Sequence, residues 1–175
     1  MAMTDNFDKT REVAKGGDAQ AGATQQFLTF TVGAEEYGVD IMTVREIKGW
    51  TETTRLPNTP DFMRGVINLR GLIIPIFDLR ERFKLGLTEA TPKHVVIILA
   101  VGERNIGILV DTVSDILDAS SDQIKPAPAG EENIQDQCVS GLISHQERMV
   151  VLLNVEKLFI EENLQSVDQI AAQAA

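Results

Sequence analysis

Residues 32–47, VGAEEYGVDIMTVREI, return as residues 101–116, VGERNIGILVDTVSDI, with no gap and at an offset of 69. Val32, Gly33, Gly38, Thr43, Val44 and Ile47 are identical to Val101, Gly102, Gly107, Thr112, Val113 and Ile116. A second match, at offset 76, pairs Gly65-Val66-Ile67 with Gly141-Leu142-Ile143 and runs on to Phe83 and Phe159. Two ordered matches with conservative exchanges between them indicate a tandem duplication, with units near 26–88 and 93–160. A duplicated unit has a groove between its copies, and such interfaces favour ligand or partner sites.

The repeated unit reads as β-structure. Leu28, Phe30 and Val32 alternate with Thr29 and Thr31, the pattern of a half-buried strand. Further strands are expected at Tyr37–Val39, Arg45–Trp50, Gly65–Leu69, Leu72–Phe77, His94–Val101, Asn105–Val110 and Met149–Leu153, punctuated by Gly, Pro and Asn. Frequent short strands of this kind predict barrels or a sandwich. Pro75 inside one run marks that strand as an edge or the site of a bulge. Helical turns are expected at Pro60–Arg64 and Asp78–Phe83, and a loop at Ser120–Gly130 with its two prolines. Residues 1–25 are polar and read as a disordered tail. Val155, Leu158, Phe159, Val167 and Ile170 recur at helical spacing, so a C-terminal helix is expected, fraying through residues 161–175.

Composition narrows the partners. The net charge is −10 at pH 7, and an acidic chain repels nucleic acid and anionic membranes. The longest apolar run, Val95–Val101, is too short to span a bilayer. No signal-peptide pattern opens the chain. One cysteine, Cys138, excludes an internal disulfide and a thiolate cluster and fits a reducing, cytoplasmic setting.

The search for chemistry returns little. Gly33/Gly38 and Gly102/Gly107 have the spacing of a phosphate-loop glycine pair, but neither is followed by Lys-Ser/Thr and both fall in expected hairpins. Cys138 and His145 lack a third zinc ligand. Ser144 and His145 are neighbours on an expected strand, where adjacent side chains diverge, so a hydrolase reading is weak. Neither catalytic residues nor a metal or cofactor site is expected.

Surface recognition remains. Asn68-Leu69-Arg70-Gly71 becomes Ser144-His145-Gln146-Glu147 in the second copy, and diverged positions are free to carry copy-specific work. Gly71 supplies a turn from which Arg70 projects. If Ile47 faces the core, Val44 and Glu46 share the outer face of their strand. Val44, Glu46 and Arg70 would then offer an apolar floor with one charge of each sign, suited to gripping an amphipathic helix. A small-molecule-binding module using the cleft between the units is the alternative.

At these residues the chain resembles the CheW family of bacterial chemotaxis coupling proteins. The resemblance is carried by Gln26–Phe30, Glu36–Ile41, Val44–Ile47, Asn58–Pro60, Arg64–Gly71 and Ile74–Arg80. It continues through Gly107–Asp111, Val113–Asp115 and Asn154–Leu158, so it covers nearly all of residues 26–160. It implies an all-β fold of two tandem SH3-like five-stranded β-barrels packed together, with short helical turns and a C-terminal helix. It implies a non-enzymatic adaptor joining the cytoplasmic tips of chemoreceptors to the regulatory domain of the histidine kinase CheA, without a cofactor and without membrane insertion, recruited from the cytoplasm to signalling arrays. Carried onto this chain, the receptor-contact positions are Val44, Glu46, Gly65, Arg70 and Gly71. The kinase contacts fall around Ile108, Leu109 and Val110.

Overall fold

The computed structural model describes residues 24–126 and 138–158. The expected tail up to residue 23, part of the 120–130 loop and the helix beyond Leu158 lie outside the described residues. The strands are β1 (Gln25–Val32), β2 (Glu35–Asp40), β3 (Val44–Gly49), β4 (Met63–Leu69), β5 (Leu72–Asp78) and β6 (Val95–Val101). They continue with β7 (Arg104–Val110), β8 (Thr112–Ala119), β9 (Ile124–Lys125), β10 (Val139–His145) and β11 (Arg148–Leu153). Among the described residues, helices α1 (Leu79–Arg82) and α2 (Val155–Leu158) each follow the last strand of a repeat.

The strands form two sheets, β8-β1-β2-β11-β10-β9 and β3-β6-β7-β5-β4. An isolated bridge from Thr54 to Val66 extends the second sheet beyond β4, where β9 extends the first beyond β10. Under the two sequence offsets the sheets have the same order, because β3, β6, β7, β5 and β4 correspond to β8, β1, β2, β11 and β10. The sequence repeats are nevertheless not the spatial units. The first sheet takes its β1–β2 hairpin from repeat one and its other strands from repeat two. The second takes its β6–β7 hairpin from repeat two and the rest from repeat one. Each repeat thus lends its first hairpin to the other barrel.

The glycines shared by the repeats mark this exchange. Gly38 in β2 pairs with Leu152, and Gly107 in β7 pairs with Ile76, at the two parallel junctions where a lent hairpin meets its host. A Cβ on Gly107 would lie 2.4 Å from Ile76 Cδ1, and one on Gly38 would lie 3.0 Å from Leu152 Cδ2. The phosphate-loop spacing therefore reflects turn glycines with positive φ (Gly33, 64°; Gly102, 62°) followed by close-contact glycines.

One face of each sheet packs against the other in the largest apolar cluster, which includes Phe30, Tyr37, Phe77, Leu99 and Ile108. The opposite faces enclose smaller clusters, one around Phe27, Ile143 and Leu152 and one around Ile74, Ile76 and Ile98. Strand β1 is therefore buried on both faces rather than one. Phe27 and Thr29 point into the barrel, and Thr29 Oγ1 donates to the Asp115 carbonyl at 3.1 Å.

Pro75 lies in an interior strand. Val66 spends both its N–H and its carbonyl on Thr54, so its pairing with Pro75 needs no donor from the proline. The pairing of β5 with β7 begins only at Ile76. The helical turn expected at 60–64 is a tight turn closed by Met63 N–H to the Pro60 carbonyl, and β4 takes over at Met63. The turn at 79–82 forms as expected, with the Asp78 carboxylate capping the N–H groups of Arg80 and Glu81. Within the expected loop, Ser121–Gln123 form a 3₁₀ turn and β9 adds a short strand.

Candidate functional site

Arg70 sits at the tip of the β4–β5 hairpin with φ 53°, followed by Gly71 with φ 89°. Two consecutive positive φ values make the tight two-residue turn that matches strand twist. Asn68 Oδ1 fixes the turn by accepting the Gly71 N–H at 2.8 Å. The turn holds the Arg70 side chain in solvent, 78% exposed, with a guanidinium nitrogen 3.2 Å from Glu46 Oε1. Sequence reading placed both charges on the surface, and the fold joins them as a pair. An exposed pair of this kind stabilises a fold by about 0.2–1 kcal/mol, so its charges are available to a partner at small structural cost. The same hairpin exposes Leu72 (58%) and Ile73 (40%).

Val44 does not join Glu46 on one face. A bulge at Arg45 pairs Val44 with Leu99 but Glu46 with Ile98, whose side chains face opposite sides of the sheet. Val44 packs on the large core, and Ile47, opposite Ile97, lies on that same face but is 46% exposed at the edge of the sheet, so the expectation fails for Val44 and holds for Glu46. Gly65 is buried in a bulge with φ 137°, where a Cβ would meet the Thr54 carbonyl oxygen at 2.4 Å. Its part in the site is to bring β4 against Thr54. Ile108, Leu109 and Val110 are 0%, 0% and 1% exposed in β7, which lies between β6 and β5. This corrects their assignment as contact residues: side chains packed on both faces of an interior strand offer no surface.

The repeat reveals positions that the sequence reading missed. Ile116 and Met149 correspond to Ile47 and Ile73, and all four are exposed, at 51%, 54%, 46% and 40%. The charges between them differ. Asp115 and Gln146 stand where the first repeat has Glu46 and Arg70, in a hollow of about 480 Å³ that also takes in His145 and Arg148. The signal was available in the alignment of the repeats, since apolar residues recur at exposed positions.

A cleft of about 420 Å³ opens where the two barrels meet, lined by Phe27, Asp40, Thr43, Ala100, Ser140 and Leu152 among others. Several of its polar side chains are bonded locally. Asp40 accepts the Met42 N–H at 2.9 Å, Ser140 donates to the Leu152 carbonyl at 3.3 Å, and Asn154 accepts the Lys157 N–H at 3.3 Å. Among the described residues, no group of three His, Cys, Asp or Glu side chains is placed to hold a metal ion, and no helix is long and apolar enough to cross a membrane.

The fold and these surfaces define an all-β protein of two interlocked SH3-like barrels whose distinguishing features are exposed recognition elements. The profile of the CheW-like domain matches residues 26–163. Chemotaxis protein CheW of Klebsiella aerogenes is 46% identical over 153 residues, covering 86% of this chain and 92% of that protein. Protein FrzA of Myxococcus xanthus is 30% identical over 142 residues, covering 80% and 88%. The crystal structure of the scaffolding protein TtCheW from Thermoanaerobacter tengcongensis superposes with a TM-score of 0.73 at 29% identity, covering 81% of this chain and 91% of that one. The chain belongs to the CheW family.

Proposed function

We propose that this protein is a non-enzymatic chemotaxis adaptor that couples chemoreceptors to the histidine kinase CheA in cytoplasmic, membrane-associated arrays. The observation that carries the reading is the Arg70 hairpin: an exposed charge pair with Glu46 beside exposed Leu72 and Ile73, held on a rigid turn. Such a surface suits an amphipathic helical partner such as a receptor tip. The names of its relatives, chemotaxis protein and scaffolding protein, support it. Val44 and Gly65 then support the contact from beneath, while Glu46, Arg70 and Gly71 face the partner.

The kinase-facing surface is better placed on exposed Ile116 and Met149 than on buried Ile108–Val110. The small-molecule reading is weaker, because Asp40, Ser140 and Asn154 are already bonded to backbone and leave few convergent groups for a ligand.

The test is calorimetric titration with a receptor cytoplasmic fragment and, separately, with a CheA regulatory domain. Arg70→Glu is expected to weaken receptor binding about tenfold, or about 1.4 kcal/mol, without lowering the melting temperature. Equal receptor affinity for variant and wild type refutes the assignment of Arg70.

A further inference from the structure

Two barrels in one chain ordinarily invite relative motion, because interfaces between units of a chain resemble transient contacts unless they are large and apolar. Here the interface is the largest core of the molecule, and it holds Phe30, Phe77, Leu99 and Ile108 at 0% exposure. Opening it exposes the side chains that fold the protein.

The chain passes between the sheets twice among the described residues. It crosses at Ile41–Thr43, between β2 and β3, and at the single residue Asp111, between β7 and β8. Two crossings alone leave one axis of rotation, and side chains close it. Asp111 Oδ2 accepts the Gly33 N–H at 2.7 Å from the first sheet. It also accepts Arg80 at 2.9 Å from α1, which continues the second sheet. A separate clasp joins the two helices, with Arg82 of α1 donating from Nε and Nη2 to the Leu158 carbonyl of α2 at 3.2 and 3.0 Å. Two crossings and this clasp tie the barrels at three points.

We infer that the two barrels are one rigid coupler, with no hinge between them. Resting on the adaptor reading above, it follows that a signal crosses this protein as a displacement of the whole body, so contacts on the Arg70 hairpin and on the Ile116–Met149 surface move together.

The free protein tests the rigidity, independently of any partner. Trp50 is the sole tryptophan and packs on the second sheet's own cluster, so its fluorescence reports that barrel. Leu152→Ala weakens the other barrel's interior. It is expected to lower the urea midpoint of Trp50 fluorescence and of far-ultraviolet circular dichroism by the same amount. A Trp50 midpoint left at the wild-type value overturns the inference. Pulsed electron paramagnetic resonance between labels at Glu103→Cys and Glu147→Cys, in a Cys138→Ala background, gives the second reading. A single narrow distance, unchanged on adding a receptor fragment or a CheA regulatory domain, is expected. A second distance in the free protein, or a shift on binding either partner, overturns it. Failure of both partners to bind refutes the adaptor reading while the free-state results still decide rigidity.

Discussion

Replacing Arg82 with methionine probes the side-chain clasp between the barrels. Arg82 is 8% exposed, and its guanidinium donates twice to the Leu158 carbonyl and lies 4.8 Å from the centre of the Phe62 ring. Hydrogen bonds from a charged donor contribute about 1.5–3 kcal/mol, and a desolvated cation over an aromatic face adds about 0.5–2 kcal/mol. Methionine keeps most of the apolar packing and removes the cost of burying a charge, which offsets part of the loss. The Leu158 carbonyl is left without these donors. The net expectation is a loss of about 2–3 kcal/mol. For a chain of this size that lowers Tm by about 4–12 °C, read by calorimetry. The variant combined with Phe62→Leu should show a coupling of about 0.5–2 kcal/mol in a double-mutant cycle. A loss of less than about 0.5 kcal/mol, with no coupling to Phe62, would mean that Arg82 is solvated and that the clasp contributes nothing.

Asp78→Ala should cost about 3–5 kcal/mol in urea unfolding, because the buried carboxylate caps α1, accepts both Thr88 N–H and Thr88 Oγ1–H, and lies 3.7 Å from Arg64. Gly107→Ala should cost about 1–3 kcal/mol by overpacking Ile76 and Val96, and Ile76→Val in the same chain should recover part of it in the same assay. Stability should also fall in alkali. Burial raises the Cys138 thiol above its ordinary value, with Arg82 and Lys157 opposing; burial, then Glu35, raises the Tyr37 phenol. Each holds its proton in the folded state at a pH where the unfolded chain releases it. Their contribution is therefore present at neutral pH and is lost as pH rises above the ordinary range of about 8.5–10 through the folded values. Urea midpoints measured from neutral pH upward should fall, and Tyr37→Phe should flatten the fall.

Local features of this fold were legible because local chemistry makes them. The Arg70-Gly71 turn, the Asp78-capped helix and the strand pairs of each repeat follow from turn residues, capping and alternation. Two things escaped. The bulge at Arg45 inserts one residue and turns Val44 onto the core face, away from Glu46, and period-two reading has no signal for it. The apolar run at Ile108–Val110 reads equally as a surface patch or as a strand buried on both faces, and only the parallel pairing with β5 decides. The hairpin exchange was hidden for the same reason. Alternation and turns build a hairpin but do not name the sheet it joins, and the partner of β2 lies more than a hundred residues away in β11.

That exchange also sets an order of assembly during synthesis. The second sheet has all its strands once residue 110 has emerged, whereas the first sheet is complete only when β11 ends at residue 153. The earliest hairpin made, β1–β2, therefore carries Phe27, Leu28 and Phe30 without its flanking strands while most of the chain is translated. Long-range pairing of this kind is slow and leaves apolar edges open to wrong contacts. The oldest strands of the nascent chain are the last to find their sheet, and chaperone demand should be greatest in that interval.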